Sequence, residues 1–220
     1  MPPPHALAHA RKAYEGTTRT ERAACGMGFV ATTGPEATHD VVAMGVTALA
    51  RLAHRGGLDA DGKSGDGAGL MIQVPRGLFG ANTAVAVLFE WDQRAREILA
   101  QALAAHGMGV ADWRAVPVAP EELGEKARRD MPTIWHAVIP RPDAPDGEWE
   151  DRLYRARRQA ERVAAAARVR LYIPSCSCRT LVYKGFMAGT HLAALRSTPS
   201  RATGPGCAPA RPSCRPSCGP

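Results

Sequence analysis

Along the chain, stretches whose apolar residues recur at strand or helix spacing are separated by stretches with no period at all. Residues 1–24 are Pro-rich and then polar, and they read as an exposed leader. At Cys25 the texture changes. Cys-Gly-Met-Gly-Phe-Val-Ala-Thr-Thr predicts a strand opened by glycines, and Thr38 is placed to cap a helix from about His39 to Ala53, with Val42, Val46, Leu49 and Leu52 near helical spacing. His54-Arg55-Gly56-Gly57 leads into a loop with six glycines between 56 and 69, after which Leu70 to Val74 reads as a buried strand. A second apolar strand spans Ala84 to Phe89. Asp92 then caps a predicted helix through about His106, with Ile98, Leu99, Ala102 and Leu103 on one side. Further strands are predicted near 110–118, 133–139, 169–173 and 179–184, and helices near 121–130 and 148–167. This mixture argues for a layered α/β or α+β domain, whose strand pairing periodicity does not reveal.

A length of 220 residues leaves room for one substantial domain with an unstructured end, and 45% hydrophobic with 22% charged residues is enough to bury a core. The longest strongly apolar run, Ala84 to Phe89, is far below the roughly 20 residues that cross a bilayer, and the N-terminus has no apolar signal-peptide core. The expected setting is cytoplasmic, with no membrane partner. Net charge is +7, but only four of the 28 basic residues are Lys, and the Arg bias accompanies heavy Ala, Gly and Pro use. A nucleic-acid surface usually interleaves its basic face with aromatics, and with aromatics at only 5% the balance reflects coding-DNA composition better. Cysteines stand at 25, 176, 178, 207, 214 and 218, a distribution that does not suit a disulfide framework and fits a reducing compartment.

Residues 197–220 differ in kind, with six Pro, a tandem Arg-Pro-Ser-Cys repeat and no aromatic residue. Such a segment cannot bury enough apolar surface to offset its ordering entropy, so a disordered tail is expected. Cys207, Cys214 and Cys218 lack the Cys-x-x-Cys pairs or matching His of a zinc site, and translation in a shifted frame past about Arg196 accounts for the abrupt composition.

Within the glycine loop, Gly57 followed by Gly62-Lys63-Ser64 matches the literal phosphate-loop pattern. The pattern has chemical meaning only where a strand enters and a helix leaves, and here a helix enters while Gly65, Gly67 and Gly69 oppose a helix start. Asp59 and Asp61 would also repel phosphate. A calcium loop is no better: Lys63 occupies a ligand place and Leu70 stands where the bidentate Glu belongs. Cys176 and Cys178 alternate with serines and read as buried, inert thiols on one strand face.

Cys25 carries more chemistry. A Cys-Gly at the head of a strand, behind a polar leader, is what a self-processed N-terminal nucleophile would present. Cleavage before Cys25 would free an α-amine of pKa about 7.7 to 8.0, able to take the thiol proton, so that one residue supplies nucleophile and base. These features alone leave a structural and a catalytic cysteine both open.

Cys25-Gly-Met-Gly-Phe-Val-Ala, His39-Asp40, His54-Arg55-Gly56-Gly57 and Gly65-Asp66-Gly67-Ala68-Gly69, in this order and spacing, resemble the start of the class II glutamine amidotransferase domain of the glutamate synthase large subunit. Trp113-Arg114-Ala115-Val116-Pro117-Val118, Tyr172-Ile173-Pro174-Ser175 and Arg179 to Gly185 are similar to the same family, so the resemblance covers about residues 21–195. It implies an α+β fold, the N-terminal-nucleophile hydrolase αββα four-layer sandwich, incomplete in this chain. The division it implies is a leader over 1–24, the amidotransferase part over 25–196 and the tail over 197–220.

The implied chemistry is hydrolysis of glutamine to glutamate and ammonia through a γ-glutamyl thioester on Cys25. In the full enzyme the ammonia aminates 2-oxoglutarate at a synthase domain carrying flavin mononucleotide and an iron–sulfur cluster. No cofactor or metal is expected in this segment; the implied partners are glutamine, the rest of the large subunit and a small subunit. Arg55 resembles the family arginine beside the nucleophile, where a guanidinium favours the thiolate, although a helix-end arginine bonding carbonyls has the same place in sequence. Asp66 and Gly67 are candidate substrate contacts in a loop expected to close near Cys25, with an architectural turn as the other reading. Gly57 to Ser64 departs from the usual form of the loop. The family's oxyanion-hole Asn-Gly pair and its substrate-gripping Arg and Asp follow the Tyr-Lys-Gly segment, where this chain has its Pro-rich tail. A truncated, non-catalytic remnant is therefore the main alternative, and a basic nucleic-acid-binding protein a more distant one.

Overall fold

The computed structural model describes residues 26–34 and 38–194. The predicted leader, Cys25 and the predicted tail lie outside the described residues. In chain order the elements are α1 (His39–Arg51), a 3-10 turn (Ala53–Arg55), β1 (Ala68–Gln73), α2 (Arg76–Phe79), β2 (Thr83–Glu90), α3 (Arg94–Ala105) and β3 (Asp112–Ala115). A second 3-10 turn (Pro120–Glu122), α4 (Glu125–Arg129), β4 (Thr133–Pro140), α5 (Asp146–Ala166), β5 (Leu171–Ser177), β6 (Thr180–Gly185) and α6 (Gly189–Ala194) follow.

The strands form two antiparallel sheets, one ordered β3-β4-β2-β5 and the other the pair β1-β6. β2 is central in the larger sheet, which is why its sequence is a continuous apolar run: both faces are covered. Ala84, Ala86 and Leu88 point to one side and join Leu99, Leu103, Leu153 and Ala156 of α3 and α5 in the main core. Val85 and Val87 point to the other and meet Leu181 and Ile72 of the small sheet. A helical layer, a four-stranded sheet and a two-stranded sheet are thus stacked in that order. α1 and α6 pack on each other and on β1, where Leu49, Leu70 and Leu192 meet Leu123 and Met187 in a third cluster. The opposite face of β1 is open: Met71, on the other side of the pleat from Leu70, is 66% exposed.

Between β2 and β5 the register changes from Val87↔Ser175 to Phe89↔Tyr172, so β5 carries one extra residue over Ile173-Pro174. Pro174 has no N–H to give a ladder, and a bulge is where a strand tolerates it. Ser177 then turns the chain out of the large sheet: its Oγ accepts from the backbone N–H of Arg179 at 2.9 Å and of Thr180 at 3.1 Å. β6 starts there and pairs with β1 from Thr180↔Gln73 to Gly185↔Ala68.

Four expectations require correction. The predicted strand after Cys25 is not present over residues 26–34, which have no ladder partner among the described residues, and Met27 and Phe29 are 92% and 94% exposed. An extended segment becomes a strand only when a neighbour takes its backbone groups. The buried strand at Leu70 to Val74 is a half-buried one, Ala68–Gln73, alternating covered and exposed positions as an edge of a two-stranded sheet must. The helix near 121–130 is a 3-10 turn and the short α4, divided at Leu123-Gly124. The helix from His39 stops at Arg51 and tightens into the 3-10 turn ending at Arg55. Among the described residues no helix is long and apolar enough to cross a membrane.

Candidate active site

The site begins at the end of α1. The 3-10 turn aims Arg55 at the segment that follows Cys25, and its backbone N–H donates to Leu52 O at 2.8 Å. A Cβ added to Gly26 would lie 3.2 Å from Arg55 Cβ and Cγ and 3.3 Å from Leu52 Cδ2. Gly26 therefore passes flush over the Arg55 stem, and the residue immediately before it is Cys25.

Two residues after Arg55, Gly57 is held from the far end of the loop. Its N–H donates to Asp66 Oδ2 at 2.9 Å, and Asp66 N–H donates back to Gly57 O at 3.2 Å. Gly67 follows with φ +118°, and a Cβ there would stand 3.2 Å from Gly185 O at the end of β6. The structure thus brings Arg55, Asp66 and Gly67 into one connected corner, with Gly26 on top. The observed contacts of Asp66 are those of a turn: its Oδ2 binds the loop's own backbone.

The phosphate reading fails on its own geometry. A helix enters the loop and β1 leaves it. Asp61 Oδ1 accepts the N–H groups of Lys63 at 2.9 Å and Ser64 at 2.7 Å, and its Oδ2 accepts Ser64 Oγ–H at 2.7 Å. The amides a phosphate would need are turned onto Asp61. The Ser64 hydroxyl and these two amides hold the Asp61 carboxyl below its ordinary value, and Ser64 itself is buried.

Sequence reasoning missed the partner of this turn. A Cβ on Gly124 would fall inside the contact distance of Asp61 Oδ2 and Ser64 Oγ, so the Asp61–Ser64 turn seats directly on the Gly124 backbone. Lys63 Nζ donates to Glu121 O at 3.1 Å, and Lys126 Nζ lies 3.5 Å from Asp59 Oδ2. The signal was present as a glycine dividing two short helical turns and as Asp-Gly-Lys-Ser, a side-chain-capped turn in its own right.

Elsewhere, Cys176 and Cys178 are both buried beside α5, and burial pushes the Cys176 thiol up to about 12, as expected of an inert core thiol. His136 on β4 is buried between the two sheets, edge-on to Phe79 at 5.2 Å and Tyr183 at 5.7 Å, with no hydrogen-bond partner for Nε2 among the described residues. Burial first, and the Arg114 charge second, lower its pKa to about 4. Among the described residues no group of three His, Cys, Asp or Glu is placed to hold a metal ion.

Comparison with known proteins matches residues 25–196 to the family described as Glutamine amidotransferases class-II. The chain is 34% identical over 190 residues to ferredoxin-dependent glutamate synthase 1, chloroplastic/mitochondrial, of Arabidopsis thaliana, which covers 76% of this chain and 12% of that protein. It is 35% identical over 191 residues to the chloroplastic ferredoxin-dependent glutamate synthase of Oryza sativa subsp. japonica, covering 76% and 12%. With the NADPH glutamate synthase large chain of Azospirillum brasilense it shares 31% over 192 residues, covering 78% and 13%. The chain thus spans about an eighth of the length of these relatives. With the match running from Cys25 through the Arg55 corner and both sheets, the chain belongs to the class-II glutamine amidotransferases.

Proposed function

We propose that residues 25–196 form the glutamine-hydrolysing part of a glutamate synthase, with Cys25 as its nucleophile after removal of residues 1–24. The observation that supports this most directly is the seating of Gly26 on the Arg55 stem, which brings the residue after Cys25 against a cationic side chain. Once the α-amine is freed it takes the thiol proton, and the thiolate attacks the side-chain amide carbon of glutamine. The C–S bond forms, the C–N bond breaks, and the proton passes to the departing nitrogen as ammonia leaves. Water then cleaves the thioester, releasing glutamate and restoring the thiol. Arg55 favours the thiolate, and Asp66 with Gly67 shapes the substrate side of the corner.

In the larger enzyme the ammonia would aminate 2-oxoglutarate, with electrons from ferredoxin or NADPH as the relatives' names state for those proteins. Flavin mononucleotide and an iron–sulfur cluster belong to that second stage. The described residues do not fit the cluster: the two described cysteines are core thiols beside α5, and among the described residues no third ligand joins them.

The test combines intact mass with turnover. A mass short by residues 1–24, glutamate and ammonia released in equal amounts, and release reduced to background in Cys25→Ala are the expected results. A full-length mass with no alkylation of Cys25 by a glutamine-like electrophile identifies a non-catalytic remnant and overturns the proposal. Nucleic-acid binding that weakens steeply with salt would favour the basic-protein reading instead.

A further inference from the structure

We infer that Asp61, Ser64 and Gly124 form a positioning latch that holds the glycine loop, and through it Asp66, in register with Arg55; its link to glutamine rests on the proposed function above. The loop has two ends to control. At the outer end Asp61 closes a turn on Lys63 N–H, Ser64 N–H and Ser64 Oγ–H, using both carboxylate oxygens. At the inner end Asp66 clasps Gly57 in both directions, two residues from Arg55. The two ends are joined by short bonds: Asp59 N–H to Ser64 O at 2.8 Å, and the Leu58↔Gly65 bridge. A displacement of the Asp61 turn is therefore carried through a narrow ladder to the Gly57–Asp66 clasp.

The seat is rigid for separate reasons. Leu123 is buried against Met187 and Leu192, and Arg128 donates to Pro120 O at 3.0 Å and Leu123 O at 3.2 Å. Gly124 O accepts Arg128 N–H at 2.9 Å. A glycine at 124 allows Asp61 Oδ2 and Ser64 Oγ to rest on the backbone, and any side chain there would lift the loop off its seat. Asp61, Ser64 and Gly124 do not belong to the catalytic corner; they set where its loop lies.

Hydrogen exchange on the full chain reads the latch without any need for activity. In Asp61→Ala the Gly57 and Asp66 amides are expected to exchange about tenfold faster while the Leu88 and Leu99 amides of the main core stay unchanged. Asp61→Asn should restore both, because its amide oxygen still accepts the two N–H groups and its NH2 donates to Ser64 Oγ. Ser64→Ala, which removes only one hydroxyl, gives a smaller effect of the same pattern and serves if Asp61→Ala does not fold. On glutamine, Asp61→Ala should raise KM about tenfold with kcat within about threefold, as loss of substrate positioning requires, and Asp61→Asn should return KM towards wild type. Unchanged exchange at Gly57 and Asp66, equal acceleration in the core, or a fall in kcat at constant KM overturns the latch. Absence of glutamine hydrolysis in the wild type overturns the proposed function alone, since the exchange comparison still decides the latch.

Discussion

Gly26, Arg55 and Gly67 each matter through a close approach of backbone to a neighbour. Arg55→Ala is expected to slow alkylation of Cys25 at neutral pH by about tenfold, with partial recovery in Arg55→Lys, because a neighbouring cation raises the thiolate fraction. An alkylation rate that ignores both substitutions removes Arg55 from the chemistry and leaves it as the end of a helical turn. Gly67→Ala tests the neighbouring geometry. At φ +118° with a carbonyl 3.2 Å from the new Cβ, alanine should cost about 1–3 kcal/mol, measured as a drop in urea midpoint at constant slope. The His-Arg-Gly-Gly and Gly-Asp-Gly strings were legible in the sequence only through their resemblance to the family's motifs. The clasp between Asp66 and Gly57 was not, because it joins residues nine apart through a loop whose path only the fold defines.

α5 shows most plainly how a helix contributes here. It runs 21 residues, with Trp149, Leu153, Ala156, Ala160 and Ala164 buried at three- and four-residue steps, and its outer face carries Arg–Glu and Arg–Asp pairs four apart. Leu153→Ala should therefore destabilise by about 2–5 kcal/mol, whereas Tyr154→Ala, one residue round the helix and 59% exposed, should change stability by less than about 0.5 kcal/mol. Thermal or urea unfolding of the two variants gives the comparison, and similar losses in both would contradict the assigned face. Periodicity predicted this helix, α3 and β2 well, because each has its burial written into the local pattern. It mispredicted residues 26–34 and the end of β1, where the decisive quantity is a ladder partner or a second covered face contributed by distant chain.

At the scale of the whole molecule, a buried histidine at the junction of the two sheets ties stability to pH. His136 faces Phe79 of α2 and Tyr183 of β6, pairs across from Val87 of β2 and Arg114 of β3, and is held neutral. Its folded pKa of about 4 lies below the ordinary 6.5, so between these values the unfolded chain binds more protons than the folded one. Its contribution is therefore complete above pH 6.5 and is lost progressively as pH falls towards 4, by up to about 3 kcal/mol. The measurement is the difference in unfolding free energy between pH 7 and pH 4.5 for wild type and His136→Leu. The variant should lose less over that interval, and parallel pH profiles would show that another group carries the acid sensitivity.

By itself the sequence determined the α+β class, the family and the positions of the strongly periodic elements, because all of these are carried by local strings whose meaning survives without coordinates. Only the tertiary structure decided which strands flank β2, that Ser177 passes the chain from one sheet to the other, and that Gly124 is the seat of a loop some sixty residues earlier. Those are facts about which distant backbones meet. They are set by the summed packing of the sheets and helices, and no single segment carries that sum.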